Sequence, residues 1–137
     1  MAELGSVYEF SGNLADAEAP PPLPVGEYRA AVQAIAPQIS KNSGKPMAVI
    51  TYHISPDQYP ADFTNGNADG EQMLFYLPLV DDPRNRFRLR KFCEMHGVTP
   101  ARTLNLPDFI GQEVIVNVTH EEYQGEQRAR VTPIRQV

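Results

Sequence analysis

Only one stretch of this chain has helical periodicity, and the apolar runs on both sides of it alternate with period two. Asp82 and Pro83 open that stretch, because aspartate caps the free backbone donors of a helix start and proline suits the first helical position. Gly97 and Pro100 close it. The spacing predicts a helix from Pro83 to His96, with Leu89, Phe92, Cys93 and His96 on one core-facing stripe and Arg84, Arg88 and Lys91 on another side.

Three runs ahead of the helix read as strands. Gly26 to Ala36 sets Tyr28, Ala30, Val32 and Ala34 against Glu27, Arg29, Ala31 and Gln33, the pattern of a half-buried strand. Met47 to Ile54 is rich in β-branched and aromatic residues and follows Lys41-Asn42-Ser43-Gly44-Lys45-Pro46, which has hairpin-loop chemistry. Gln72 to Leu79 places Met73, Phe75, Leu77 and Leu79 on one face. Between these last two, Ser55 to Glu71 is an acidic insert with two prolines and two glycines, which predicts an exposed, mobile loop. Beyond the helix, one more turn is expected at Leu106 to Ile110. Glu113 to His120 alternates through Val114, Val116 and Val118, and Arg128 to Ile134 resumes after Glu121-Glu122-Tyr123-Gln124-Gly125 as the second arm of a closing hairpin.

Three strands, a helix and two strands predict a mainly β domain: a five-stranded OB-fold-like barrel with its α-helix between strands 3 and 4. A five-stranded α+β sheet of another topology is the alternative. The 137 residues suffice for one core. They divide into a flexible acidic, Pro-rich arm at 1–24 and the OB-fold-like domain at 25–137, the prolines before Val25 setting a stiff approach to the first strand. A Pro-rich ligand for a partner domain is the second reading of that arm. No apolar run is long enough to span a membrane and the N-terminus lacks signal-peptide layout, so a soluble, intracellular protein is expected.

A net charge of −5 argues against a polyanionic partner until the charges are located. Met1 to Glu27 carries five acids and no base, whereas Pro83 to Pro107 carries six bases and only Glu94. One face can therefore be positive on an acidic whole.

Catalytic and metal chemistry find little support. The histidines His53, His96 and His120 fall on separate elements with no second ligand at metal-binding spacing, and no cofactor is expected. Lone Cys93 reads as a buried small hydrophobe. Ser43-Gly44-Lys45 lacks the spacing and the strand–loop–helix setting of a phosphate loop, and Asn117-Val118-Thr119 is a mid-strand sequon taken as chance. No carboxylate pair is coupled to a base or nucleophile. The chain is read as a non-enzyme.

What remains is a set of cations and aromatics suited to a nucleic-acid face: Lys41 and Lys45 in the first hairpin loop, Arg29, Tyr52 and Tyr76 on strands 1 to 3, and Tyr123, Arg128 and Arg130 at the closing hairpin. Cations follow phosphates and aromatics stack on bases. Each has a plainer reading, since strand aromatics often pack cores and loop lysines are often only solvated. Arg84 to Lys91 holds five of the chain's 12 basic residues, read in part as ion pairs with Asp81, Asp82 or the insert, with nucleic-acid contact by the helix as the other reading.

The order of motifs resembles a family of small bacteriophage and prophage OB-fold single-stranded-DNA-binding proteins. The resemblance covers Leu23 to Ile134 and is carried by Pro24-Val25-Gly26-Glu27-Tyr28, Ser40 to Met47, Phe92-Cys93-Glu94-Met95-His96-Gly97-Val98, Phe109 to Val114 and His120 to Gly125. It implies a non-catalytic protein of phage replication or recombination that binds single-stranded DNA with low sequence specificity in the host cytoplasm, alongside replication or recombination proteins and as a homo-oligomer where several copies coat a strand. The insert at Ser55 to Glu71 and the absence of an acidic end after Ile134 depart from that pattern. A structural or protein-interaction domain, docking through its acidic segments, is the rival expectation.

Overall fold

The computed structural model describes residues 5–18, 21–64 and 66–137; Glu3 and Pro20 of the expected arm and Asn65 of the insert lie outside them. Five strands, β1 (Gly26–Ile39), β2 (Pro46–Ile54), β3 (Glu71–Pro78), β4 (Glu113–Tyr123) and β5 (Glu126–Arg135), form one antiparallel sheet in the order β3-β2-β1-β4-β5. The single α-helix, α1 (Pro83–Met95), follows β3.

The alternation seen in sequence decides what each strand buries. Ala48, Ile50, Tyr52 and Ile54 of β2, Met73 and Leu77 of β3, and Val114, Val116 and Val118 of β4 are all buried on one face. β1 departs from strict alternation. Its pairing jumps from Val32 opposite Tyr52 to Ala34 opposite Thr51, leaving Gln33 as the extra residue of a bulge. Tyr28, Ala30 and Val32 therefore point inward as expected, but beyond the bulge Ile35 packs on the core and Ala34 is exposed.

The ladder is not closed into a barrel. β3 and β5 approach within 8 Å between Cα atoms, yet neither pairs with the other. Pro21, Pro22 and Leu23 line the cleft between Glu71–Leu74 of β3 and Arg128–Ala129 of β5. Prolines offer no N–H to a ladder. Leu23 is 3% exposed, so the end of the expected arm belongs to the core. His120 Nε2 donates to the Leu23 carbonyl at 2.7 Å, and Tyr28 Oη donates to the Pro24 carbonyl at 2.7 Å. Residues 5–18 are exposed throughout.

α1 is bounded by the expected signals. The Asp82 carboxylate accepts from Asn85 N at 2.8 Å, and the buried Asn85 amide donates to the carbonyls of Pro78 at 2.9 Å and Val80 at 2.8 Å, fastening the helix start to the end of β3. At the other end Val98 N donates to Cys93 O at 2.9 Å and Gly97 N to Glu94 O at 3.3 Å. Both bonds of a Schellman stop are thus made, with Gly97 at φ 72° supplying the left-handed turn. Phe92, Cys93 and His96 are buried, and the Phe92 ring lies 5.2 Å from Phe109 and 6.3 Å from Phe75.

The insert is more structured than an exposed, mobile loop. Tyr59 and Phe63 pack edge to face at 5.2 Å and both rest against the core, while Tyr59 Oη donates to Asn67 O at 2.8 Å. Its apolar members offset its acidic character: both aromatics are half-buried against the core, which ties the segment to the sheet at two points.

Candidate nucleic-acid interface

The outer face of β1, β2 and β3 carries two uncharged rows. Ala36, Val49 and Tyr76 lie side by side, and so do Ala34, Thr51 and Leu74. Tyr76 is 52% exposed and Leu74 51%, both on the edge strand β3. An exposed ring beside aliphatic neighbours is a platform on which a flat apolar group can stack.

Cations flank this platform at both ends of β3. At the Pro78 end, Lys45, Arg84 and Arg88 line one shallow groove of about 220 Å³ with Pro78, Val80, Asp82 and Asn85. The β1–β2 turn presents Lys45, with Ser40 N donating to Lys45 O at 2.9 Å; Lys41 is exposed in the same turn. At the Leu74 end, Arg128 lines the β3–β5 cleft and sets its guanidinium 4.4 Å above the Tyr123 ring. Tyr123, Arg128, Arg130 and Glu121 share one face of the β4–β5 hairpin, where Arg130 is paired with Glu121 at 3.2 Å. Pro78 and Leu74 are separated by about 13 Å of extended strand.

Of the residues expected at the site, Lys45, Tyr76 and Arg128 are thus brought to one track along β3, with Lys41 and Tyr123 at its two ends. Arg130 sits beside that track, held by an acid.

Tyr52 does not belong to it. The residue is fully buried, because β2 alternates and position 52 falls on the same side as Ile50 and Ile54. Its hydroxyl lies 2.8 Å from His96 Nε2, and His96 Nδ1 lies 2.7 Å from the Phe92 carbonyl. The carbonyl can only accept, so Nδ1 carries a proton, and in the neutral imidazole that burial favours Nε2 accepts from the phenol. Burial pushes the His96 pKa down, opposed by its bond to the Phe92 carbonyl, and burial pushes the Tyr52 pKa up.

Arg29 also stands apart. It points outward from β1 but pairs with Glu113 at 3.4 Å on the β4 side, in a charged belt that includes the Glu27–Arg135 pair.

Three contributors were missing from the expected set of site residues. Leu74 precedes Tyr76 by two residues and so shares its face, which the period-two pattern already contained. Arg84 and Arg88 share a helix side in sequence, but their meeting with Lys45 depends on the Asn85 clamp that swings α1 against the end of β3. Neither family models nor curated proteins match this chain.

Proposed function

We propose that this protein binds single-stranded nucleic acid, DNA above all, along the outer face of β3, and performs no chemistry on it. The observation that carries the reading is the exposed Tyr76–Leu74 platform with cation groups at both of its ends. Bases stack on Tyr76 and on the open side of the Tyr123 ring, while Lys41, Lys45 and Arg128 follow the phosphates. Stacking and charge together bind every sequence similarly, since every base has a π-face. The strand order, the helix after the third strand and the seam between β3 and β5 fit a partly open OB-type barrel, in which strands 2 and 3 and the flanking loops bind oligonucleotides. The resemblance of its motif order to phage single-strand binders supports this reading, and with it a role in replication or recombination within a host cytoplasm.

The test is a fluorescence-anisotropy titration of labelled single- and double-stranded probes at two salt concentrations. Single strands are expected to bind more tightly, with affinity falling steeply as salt rises through counterion release. Tyr76→Ala weakens binding by about 1–3 kcal/mol, the value of one stacked base. Equal affinity of wild type and Tyr76→Ala for single strands rules out this face.

A second reading draws on the insert, whose acids Asp57, Asp62, Asp69 and Glu71 are carried on a segment anchored by Tyr59 and Phe63. A fixed acidic surface suits a basic protein partner. Under that reading, substitutions of Lys41, Lys45 and Tyr123 leave partner binding intact.

A further inference from the structure

We infer that the groove between Lys45, Arg84 and Arg88 is a separate phosphate subsite, which takes the phosphodiester backbone of the bound strand where it leaves the β3 platform and turns onto α1. The inference rests on the function proposed above, in which Lys45 already follows the phosphates, and deepens it by giving Arg84 and Arg88 of the helix a defined role beside that lysine.

Pairing and position together mark this groove. Arg29, Arg86, Arg90, Arg130 and Arg135 each pair with a carboxylate, and of the cations without such a pair, Lys45, Arg84 and Arg88 gather around one groove while Arg102 and Arg128 line others singly. Arg86 and Arg90 lie on the same helix as Arg84 and Arg88, yet they turn to Asp81 and Glu94. Among the described residues, Lys45, Arg84 and Arg88 have no such partner. The acid that lines their groove, Asp82, is occupied in capping Asn85 N at 2.8 Å.

Three cations around one small groove repel one another, and an anion arriving from solvent relieves that repulsion. Two arginine forks match the oxygens of a phosphate, and a lysine adds a point charge to it. The groove is also continuous with the platform: Pro78 lies in its wall and Tyr76 is two residues, about 7 Å, further along the same strand. A strand stacked on Tyr76 therefore brings its next phosphates to these side chains. An acidic peptide could meet the charge, but it would have no use for the adjoining ring.

The experiment compares three proteins on an oligothymidylate of about 20 nucleotides, long enough to cross the whole outer face of the sheet. They are wild type, the groove variant Lys45→Gln/Arg84→Gln/Arg88→Gln, and a charge-matched control, Arg86→Gln/Arg90→Gln/Arg135→Gln. Thermal melts confirm folding, since all six side chains are on the surface. The groove variant is expected to bind at least about 10-fold more weakly at low salt and to lose about 2 from the slope of log affinity against log salt, as three phosphate contacts on a single strand predict. The control is expected to stay close to wild type. Equal losses in groove variant and control overturn the subsite and leave the proposed function standing. A wild type that binds no oligonucleotide removes both. A labelled polyglutamate held more tightly than the oligonucleotide, and released by the groove variant, assigns the groove to an acidic protein surface and overturns the phosphate assignment.

Discussion

The Tyr52–His96 pair shows how one residue can look like a ligand contact in sequence and be a core fastening in the fold. A tyrosine on a strand next to a basic loop has the chemistry of a stacking platform, but the phase of β2 buries it. Tyr52→Phe removes the phenol and leaves His96 Nε2 without a donor, so it should cost about 1–3 kcal/mol in a urea melt, the penalty for an unsatisfied buried polar group. Oligonucleotide affinity of the folded variant should not change. The same imidazole sets a pH dependence. In the unfolded chain His96 titrates near its ordinary 6.5, and in the fold burial holds its pKa lower. The stabilisation that comes from keeping it neutral is complete above the unfolded value and is lost as pH falls below it, through the window down to the folded value. Urea melts at neutral and mildly acidic pH should show that loss in wild type and a flatter response in His96→Gln. Gly70 is a different kind of constraint. It has φ 100°, and a Cβ there would lie 2.3 Å from His53 Nε2 and 2.7 Å from the Ile54 carbonyl. Because the second atom is backbone and cannot swing aside, Gly70→Ala should destabilise by about 1–3 kcal/mol, read by the same melts.

At the scale of elements, the strands and helix were legible because each depends on a local rule. Period-two alternation gave five strands, with the inward faces of β3, β4 and β1 up to Val32 where expected, and Asp82, Pro83 and Gly97 gave both ends of α1. What was not legible depended on contacts between elements. The Gln33 bulge is a change of register that only the partner strand defines, and it turns Ile35 inward in place of Ala34. The insert looked like a solvated loop because its acids and prolines are conspicuous in sequence, whereas the Tyr59–Phe63 contact that orders it is not. Likewise the basic run of α1 is unreadable as a run: its arginines divide between pairs with Asp81 and Glu94 on one hand and the Lys45 groove on the other. The cap of α1 tests this division. Asp82→Asn keeps an equivalent capping group and removes one negative charge from the groove, so stability should hold within about 0.5 kcal/mol. Oligonucleotide binding should tighten at low salt. Asp82→Ala removes the same charge but also the cap, and should cost about 1 kcal/mol in addition. Anisotropy and urea melts on the two variants separate the charge from the cap.

For the whole molecule, the distinction that matters is between a sheet that closes by its own hydrogen bonds and one that closes by packing. The barrel expected from strand order needs a ladder between β3 and β5, and the chain instead lays Pro21, Pro22 and Leu23 in that cleft. Prolines cannot complete the ladder, so the seam is held by the Leu23 side chain and by the bond from His120 to the Leu23 carbonyl. The outer side of the same seam carries Arg128 and the Gln72–Leu74 stretch of β3, so the packing that holds the seam lies directly beneath the proposed nucleic-acid track. Leu23→Ala should therefore cost about 2–5 kcal/mol, as for other buried leucines, with the smaller value if Pro22 and Met73 relax into the space. Affinity offers a sharper discrimination than stability. If the track is rigid without the seam, Leu23→Ala binds oligonucleotide as wild type does once folded. If the seam sets the spacing between Leu74 and Arg128, the folded variant loses affinity for single strands while its salt slope, which counts phosphate contacts, stays the same. The second outcome is the one expected, because β3 is an edge strand, and across the seam packing alone, with no ladder, fixes its distance from Arg128.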